Sequence, residues 1–452
     1  MKLKKILAIL LCAAILFGTC GCNIIGFSKD DMLRPPKTMG DEAEIEQLIA
    51  HTAPDGYTLK YPKSGNYRSA IIMHDLDGDD VDEAIAFFRA KDGTTRIHIL
   101  VMYEVESVWY VSDDFTNEAT DIDCVDFADI DDGATQEILV GFTTFTTSVN
   151  LLTVYSYHRG KSSSIDAGVN YSSFYCGNLD NSGKSKVVTL SLVSAETGAK
   201  ATMLEYDSKR NALFAKASVA MDGNVTGYKN VVFSDIGDGA KALYVDGLLP
   251  NDELNTQVIY YDKQLDVLNN PLYHEKSLNP TRRSNSKMIC MDIGNDLKYE
   301  IPTVTDLPFN EELTNMTGAQ QVVWNDFDVQ TNELVPVLYT VANYNFAFIV
   351  KIPDLWLENE FTAMTDESGA LTTFGAWNHD ATVTKLFDMM VFKVSDWDQG
   401  KDNDGYTLIY KDNRYAYAFI NYHPDSALAL SDDEIKTAFS LLGKGNAANG
   451  KS

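Results

Sequence analysis

The sequence has 452 residues, and 37 basic against 65 acidic side chains give it a formal net charge of −28. Nucleic-acid backbones and anionic lipid headgroups bind to basic surfaces, so this charge argues against both as partners. Hydrophobic residues make up 45% of the chain and charged residues 23%, which excludes a disordered protein. A chain of this length predicts about two or three domains.

The first residues are typical of an export signal. Three lysines within the first five residues precede the apolar run 6–17, which is shorter than the roughly 20 residues that a membrane-spanning helix needs. The run is followed by Gly21 and Cys22, and a small residue before a cysteine at this place resembles the bacterial lipobox. That resemblance implies that residues 1–22 form a lipoprotein signal, that Cys22 carries diacylglycerol, and that the protein is anchored on the extracytoplasmic face of the cell membrane. The alternatives are lipidation of Cys20 and a plain signal peptide.

Residues 23–56 are interpreted as a tether with a short helix. Pro35 and Pro36 favour an extended chain, whereas apolar residues recur at helical spacing in residues 41–49, behind early acids. The stretch 33–83 resembles a group of uncharacterised lipoproteins from Gram-positive anaerobes. This resemblance implies a location but no activity.

Five segments of the chain align without a gap, and each has an Asp or Asn at the same anchor position. The anchors are Asp75, Asp129, Asn178, Asp235 and Asp292. Apolar residues stand two before and one after each anchor, and a second apolar segment follows downstream, as expected for antiparallel strands joined by Asp/Gly/Asn turns. Units of about 50 residues with room for four strands predict β-propeller blades over residues 57–333. Five blades are recognisable, and blades without the acidic turn would raise the number to six or seven.

The anchor segments resemble the FG-GAP/VCBS repeat family, whose blades carry turns of the pattern D-x-D-G-D-G-x-x-[DE]. With the anchor as position one, the resemblance implies a structural Ca²⁺ ion bound by acids at positions one, three, five and nine. The implied ligands are Asp75, Asp77, Asp79 and Glu83 in the first turn, Asp129, Asp131 and Glu137 in the second, and Asp292, Asp296 and Glu300 in the fifth. Position nine is Lys186 in the third turn, where it would repel a cation, and Leu243 in the fourth. The alternative is that these acids only cap turns, for which Asp and Asn are preferred.

Residues 334–445 are predicted to form a second, α+β domain, and residues 446–452 a disordered tail. Ser431 and Glu434 have the spacing of a capping box and predict a final helix behind a series of strands. The predicted strands are 346–352, 358–363, 371–376, 389–394, 406–410 and 415–420.

The opening of this second domain has a further signature. A strand, a proline and Trp356 follow one another in residues 346–356, and this order resembles the first strand of PsbP-like domains. Trp356 is interpreted as a core residue, with a ligand-stacking platform as the alternative. The fold class predicted for the whole chain is therefore mainly β, a β-propeller followed by a small α+β domain.

The cysteines of the mature chain form neither a disulfide framework nor a zinc motif. Cys176 and Cys290 align in a column that the other repeats fill with Met or Phe. Together with Cys124 they are interpreted as buried, small apolar side chains.

Catalytic motifs are not recognisable. The sequence has no H-E-x-x-H pair, no G-x-S-x-G elbow and no phosphate-binding glycine loop. His74 precedes the first turn, but the aligned position varies freely between repeats, so it is interpreted as an incidental surface histidine. No cofactor besides Ca²⁺ is predicted.

Two functions are compatible with these features. The first is a binding or scaffolding lipoprotein with an unidentified protein or carbohydrate ligand. The second is an extracytoplasmic hydrolase acting on polysaccharide or another cell-wall polymer, which needs paired carboxylates. Acids confined to the repeat turns would favour the first function, whereas carboxylates that converge with aromatic residues in one pocket would favour the second.

Overall fold

The computed structural model describes residues 39–442, except 132, 134, 146–148, 196, 238, 311–315 and 379. The predicted signal, Cys22, most of the tether and the tail 446–452 lie outside the described residues. The chain forms two compact units: residues up to 127 together with 134–164, and residues 128–133 together with those from 165 onward.

The first unit begins with helix α1, Met39–Thr52, which confirms the helix predicted in the tether. The first sheet follows, with strands β1 Tyr57–Leu59, β2 Ile71–His74, β3 Glu83–Ala90, β4 Arg96–Val105 and β5 Val108–Glu118. The strands β3, β4 and β5 are neighbours in this order, and both β1 and β2 pair with β3, all of them antiparallel.

Helix α1 covers one face of the first sheet. Ile45 and Ile49, one helical turn apart, are buried against Phe88 and Trp109. Successive side chains of a strand point to opposite faces, so Phe87 lies on the other face, in a core shared with the second sheet. The helix therefore buries the sheet face that is turned away from the second sheet.

The second sheet has the same up-and-down strand order as the first. Its strands are β6 Asp121–Ala128, β7 Glu137–Thr143, β8 Asn150–His158 and β9 Lys161–Tyr171.

Three further antiparallel groups of strands, called here the third, fourth and fifth sheets, follow in the second unit. The third sheet is joined to the second by a parallel bridge between Ala212 and Asp166. The third sheet has strands β10 Ser173–Gly177, β11 Lys186–Ser191, β12 Lys200–Asp207 and β13 Ala212–Ala220. The fourth has β14 Gly227–Asp235, β15 Lys241–Leu248, β16 Leu254–Asp262 and β17 Val267–Asn269. The fifth has β18 Ile301–Asp306, β20 Gln320–Asp328 and β21 Glu333–Asn343.

Strand β15 shows how these sheets are packed on one another. Val245 lies in a core shared with the third sheet, and Tyr244, on the opposite face, lies in a core shared with the fifth sheet. Successive antiparallel sheets of this kind form a propeller-like β fold, which confirms the predicted fold class. Their arrangement in a ring and the number of blades stay predictions.

The repeat turns occupy equivalent places, since each leads directly into a strand of its sheet, namely β3, β7, β11, β15 and β18. In the first, third and fifth turns the residue before the anchor pairs with position nine, as His74 does with Glu83. These three turns also share a left-handed backbone at positions four and six. The residues concerned are Gly78, Asp80, Asn181, Gly183, Asn295 and Leu297.

The fourth turn is one residue shorter than the ungapped alignment assumes. Ser234 pairs with Ala242, and the left-handed residues are Gly237 and Gly239, each one position earlier than in the other turns. The assignment of Leu243 to position nine was therefore wrong, because Ala242 occupies that place.

A buried ion pair holds the long connection between β17 and β18. The side chains of Arg283 and Asp246 have no exposed surface, and Arg283 Nη2 lies 2.7 Å from Asp246 Oδ1. Arg283 also donates from Nη1 to Thr256 Oγ1 at 3.0 Å and to the Thr281 carbonyl at 2.8 Å, and from Nε to the Met288 carbonyl. The sequence contains no signal for this network.

The C-terminal part is an α+β structure, as predicted. Its further strands are β19 Thr317–Gly318, β22 Phe348–Lys351, β23 Phe361–Thr365, β24 Leu371–Trp377, β25 Val383–Lys393, β26 Thr407–Lys411, β27 Tyr415–Asn421 and β28 Phe439–Leu441. Its helices are α2 Asp354–Leu357, α3 Val394–Asp398 and α4 Asp432–Ala438. One sheet has the order β18-β20-β21-β22-β28, and the other β19-β23-β24-β25-β27-β26.

Local predictions in this part agree with the structure. Helix α4 has the full capping box of Ser431 and Glu434. Trp356 is buried, and its Nε1 donates to the Leu428 carbonyl at 3.0 Å, which confirms its assignment to the core. Strand β21 pairs with both β20 and β22, so the predicted boundary between residues 333 and 334 falls inside a strand.

None of the helices in the described part of the chain has both the length and the apolar character needed to cross a bilayer.

Candidate metal centres

The first repeat turn is shaped by its anchor, Asp75. Its Oδ1 accepts the N–H groups of Gly78 at 2.7 Å and Asp79 at 3.2 Å, and its Oδ2 accepts that of Asp80 at 3.0 Å. The left-handed conformation of Gly78, with φ +76°, allows the chain to curl around this carboxylate. The turn thus directs three backbone N–H groups toward the Asp75 carboxylate.

Three carboxylates converge in this turn. Asp75, Asp77 and Glu83 each have a carboxylate oxygen within 4.8 Å of the others. Glu83 is only 4% exposed, and its Oε2 accepts the Leu76 N–H at 2.8 Å. Asp77 Oδ1 is buried and has no hydrogen-bond partner.

The electrostatics of the first turn disfavour three negative charges. Burial, followed by the negative charge of Asp77, raises the pKa of Glu83 to about 7. Burial and the neighbouring charges of Asp79 and Asp75 also raise the pKa of Asp77. A bound divalent cation would remove this repulsion.

These residues fit a calcium ion. Ca²⁺ takes oxygen ligands at about 2.3–2.6 Å, so two of its ligand atoms lie at most about 5 Å apart. The unsatisfied Asp77 Oδ1 supplies the acceptor that a cation requires. Asp79, also predicted as a ligand, lies outside the group of three, and its Oδ1 accepts the Val81 N–H at 2.8 Å.

The second turn brings together the three residues predicted for it. Oxygens of Asp129, Asp131 and Glu137 lie within 4.8 Å of one another, and Glu137 has no exposed surface.

The fifth turn has the backbone of the first but lacks one ligand. Asp292 accepts the N–H groups of Asp296 at 3.1 Å and Leu297 at 3.0 Å, and Glu300 accepts that of Ile293 at 2.8 Å. Among the described residues, Asp292, Asp296 and Glu300 do not form a group as compact as those of the first two turns. Position three is Gly294, which supplies no carboxylate.

The third and fourth turns lack an acid at position nine, as the sequence indicates. In the third turn Lys186 Nζ lies 3.4 Å from Asp180 Oδ2 and 2.9 Å from Glu205 Oε1. In the fourth turn Asp235 Oδ1 accepts the Gly237 N–H at 2.7 Å, and Ala242 stands at position nine.

Neighbouring repeat turns are joined by hydrogen bonds. In the first unit the Gln136 N–H donates to the Leu76 carbonyl at 2.7 Å. Backbone N–H groups make the equivalent bonds in the second unit, from Ser185 to the Asp129 carbonyl at 2.9 Å, from Lys241 to the Asn178 carbonyl at 3.2 Å, and from Tyr299 to Ser234 Oγ at 3.0 Å. These bonds fix the spacing of adjacent turns.

His74 is not an incidental surface residue, so that interpretation was wrong. Its ring stacks on Phe127 with centroids 4.0 Å apart, and its Nε2 lies 2.7 Å from Gln136 Oε1. The histidine is thus part of the packing between the first two sheets. A single sequence does not reveal this, because the partners come from another repeat.

No disulfide joins the cysteines of the described residues, and only one of these cysteines is buried as predicted. Cys290 is buried, whereas Cys124 and Cys176 are partly exposed. Cys290 also lies in polar surroundings, since its N–H donates to Asp246 Oδ2 at 2.7 Å.

The C-terminal part contains a cleft of about 420 Å³ that the sequence did not predict. Phe346, Phe392 and Tyr415 contribute aromatic side chains to its lining. Its lining also contains two carboxylates, Asp396 on helix α3 and Asp402, together with Lys393 and Lys401. Asp396 forms an ion pair with Lys401 at 3.8 Å. The groups of three carboxylates in the described residues lie in the repeat turns instead.

No family model matches the chain, and no curated protein matches it. Among solved structures, it is similar to a crystal structure of a protein from Lactobacillus plantarum determined by the Northeast Structural Genomics Consortium. The two chains are 13% identical with a TM-score of 0.32, and the match covers 70% of this chain and 83% of that chain. The description of that structure names neither a ligand nor an activity.

Proposed function

We propose that the protein is a lipid-anchored extracytoplasmic binding or scaffolding module, with Ca²⁺ stabilising its first repeat turn. One observation supports the binding role over the hydrolase: in the described residues, the compact groups of carboxylates lie in repeat turns. Acids used to close turns serve the stability of a scaffold. A glycosidase would need paired carboxylates beside a substrate cleft, whereas Asp396 and Asp402 in the C-terminal cleft lie among Lys393 and Lys401, and Asp396 is ion-paired with Lys401.

The packing of helix α1 limits the length of the proposed tether. Because Ile45 and Ile49 are buried on the first sheet, the tether available to a lipid at Cys22 is residues 23–38. Sixteen residues span at most about 55 Å when fully extended. A lipidated Cys22 would therefore keep the first sheet close to the membrane surface.

Replacing Cys22 by Ser should move the protein from the membrane fraction to the soluble fraction and abolish its labelling with radioactive palmitate in a Gram-positive host. The thiol is the acceptor of the lipid, and Ser lacks it. Fractionation with immunoblotting measures the shift, and Cys20→Ser is the matched control, which should stay in the membrane. Release by Cys20→Ser and retention of Cys22→Ser would contradict the assignment.

The unlipidated Cys22→Ser protein should bind to purified cell wall or to wall proteins without consuming them. We would incubate it with wall polysaccharide and with wall protein extract, and measure both retention of the protein and release of reducing sugar. Saturable retention without sugar release is the expected result. Catalytic release of sugar would favour the hydrolase and overturn the proposal.

A further inference from the structure

The third repeat turn reproduces the backbone of the first turn with a different charge at position nine. Gly177 pairs with Lys186 as His74 pairs with Glu83, and the left-handed residues of the two turns correspond. Lys186 is 8% exposed, close to the 4% of Glu83. The side chain of Lys186 therefore occupies the same place in the third turn as the side chain of Glu83 does in the first turn.

The ammonium group of Lys186 finds two carboxylates there. Its Nζ lies 3.4 Å from Asp180 Oδ2, at position three, and 2.9 Å from Glu205 Oε1 on the neighbouring strand β12. The side chains of Lys186 and Asp180 are each 10% exposed. Burial alone would raise the pKa of Asp180, but hydrogen bonds from Ser182 and the positive charge of Lys186 lower it below its ordinary value.

We propose that the third turn carries its own cation, with the Lys186 ammonium in the place that Ca²⁺ takes in the first turn. This inference rests on the proposed calcium site of the first turn. Position three supplies a carboxylate in both turns, Asp77 in one and Asp180 in the other. The Lys186 ammonium group lies 3.4 Å from the Asp180 carboxylate, so it would repel a divalent ion bound to that carboxylate. The third turn therefore excludes the metal.

The first turn, which binds the metal, and the third turn, which is closed by Lys186, respond differently to the free calcium concentration. A metal ion leaves the first turn when its free concentration falls, and the stabilisation disappears with it. The Lys186 ammonium is attached to the chain and stays paired at any calcium concentration. Calcium thus controls the order of the first turn, while the third turn remains closed.

Hydrogen exchange of the unlipidated Cys22→Ser protein, with 2 mM calcium or with EDTA, tests this inference. Peptides covering residues 76–82 should exchange about tenfold faster or more in EDTA, whereas those covering residues 179–185 should be unchanged. In Lys186→Glu the third turn should become calcium-dependent like the first. In Lys186→Met it should exchange faster in both conditions, because Asp180 loses its cation and gains no metal ligand.

Two control variants keep the result interpretable. Lys186→Arg keeps the charge and should leave the third turn closed and insensitive to calcium. Lys209→Met removes an exposed charge from the same sheet and should change neither turn.

Calcium protection of the third turn in the parent protein would overturn the inference. So would unchanged exchange in Lys186→Met, or a Lys186→Glu protein that folds but does not respond to calcium. A first turn that ignores calcium would refute the proposed metal site, and the Lys186→Met result would still decide whether Lys186 closes the third turn.

Discussion

Replacing Arg283 by Met should lower the free energy of unfolding by about 3–5 kcal/mol, because it breaks a fully buried ion pair. Arg283 Nη2 lies 2.7 Å from Asp246 Oδ1, and neither side chain has exposed surface. Met fills a similar volume, so the loss comes mainly from the Asp246 charge, which is left in the interior without its partner. Urea denaturation measures the change.

The remaining contacts of Asp246 do not replace the arginine. Its carboxylate accepts the Cys290 N–H at 2.7 Å, the Thr256 hydroxyl at 2.7 Å and the Asn230 amide at 3.0 Å. These groups orient the carboxylate but do not neutralise its charge. Arg283 also holds the connection between β17 and β18 through backbone carbonyls, so its loss should loosen that segment.

The adjacent Arg282 offers a matched control. Its side chain is 45% exposed and pairs with Glu253 at the surface, so Arg282→Met should cost less than about 1 kcal/mol. Replacing both members of the buried pair, Arg283→Met with Asp246→Leu, should recover part of the loss, since no buried charge remains. Equal losses for Arg282→Met and Arg283→Met would contradict the prediction.

The sequence could predict the repeated strands and turns because their signals are local. Each anchor residue lies between two short apolar segments, and the structure places every anchor shortly before a strand, namely β3, β7, β11, β15 or β18. The capping box formed by Ser431 and Glu434 could also be predicted, since both residues belong to one helix end. The length of the fourth turn could not be predicted from the sequence. Its Asp and Gly residues suit a turn in either alignment, and only the pairing of Ser234 with Ala242 decides between them.

The contacts between distant segments could not be predicted. Arg283 and Asp246 are 37 residues apart, and neither residue type indicates burial by itself. The charge of Lys186 could be read from the sequence, but its ion-pair partner Glu205 could not, because Glu205 lies on another strand. The convergence of Asp75, Asp77 and Glu83 was implied by a family pattern, whereas the separation of Asp79 from that group depends on the local hydrogen bonds of the turn.

In the presence of a chelator such as EDTA, the free energy of unfolding should fall as the pH rises from about 5 to about 8. Burial is the main cause that raises the pKa of Glu83 and that of Glu300 to about 7, against an ordinary value of 4.5. Between pH 4.5 and about pH 7, these two carboxyl groups stay protonated in the folded chain but lose their protons in the unfolded chain. The stabilisation is complete below the unfolded pKa and is lost as the pH rises through 7, by about 2–3 kcal/mol for each carboxyl.

Calcium should reverse this trend, because it binds the deprotonated carboxylates and its stabilising effect grows as the pH rises. Thermal unfolding at pH 6 and pH 8, with calcium or EDTA, measures both effects. Glu83→Gln should reduce the pH dependence and weaken the response to calcium, and Asp77→Asn should also weaken that response. Any response that remains would come from the compact group of the second turn. Glu300→Gln is the matched control: it removes an equally buried carboxyl from a turn that lacks the compact group, so it should reduce the pH dependence and keep the full calcium response. If Glu300→Gln and Glu83→Gln lost the calcium response equally, or if the parent protein showed none, the first turn would not be the metal site.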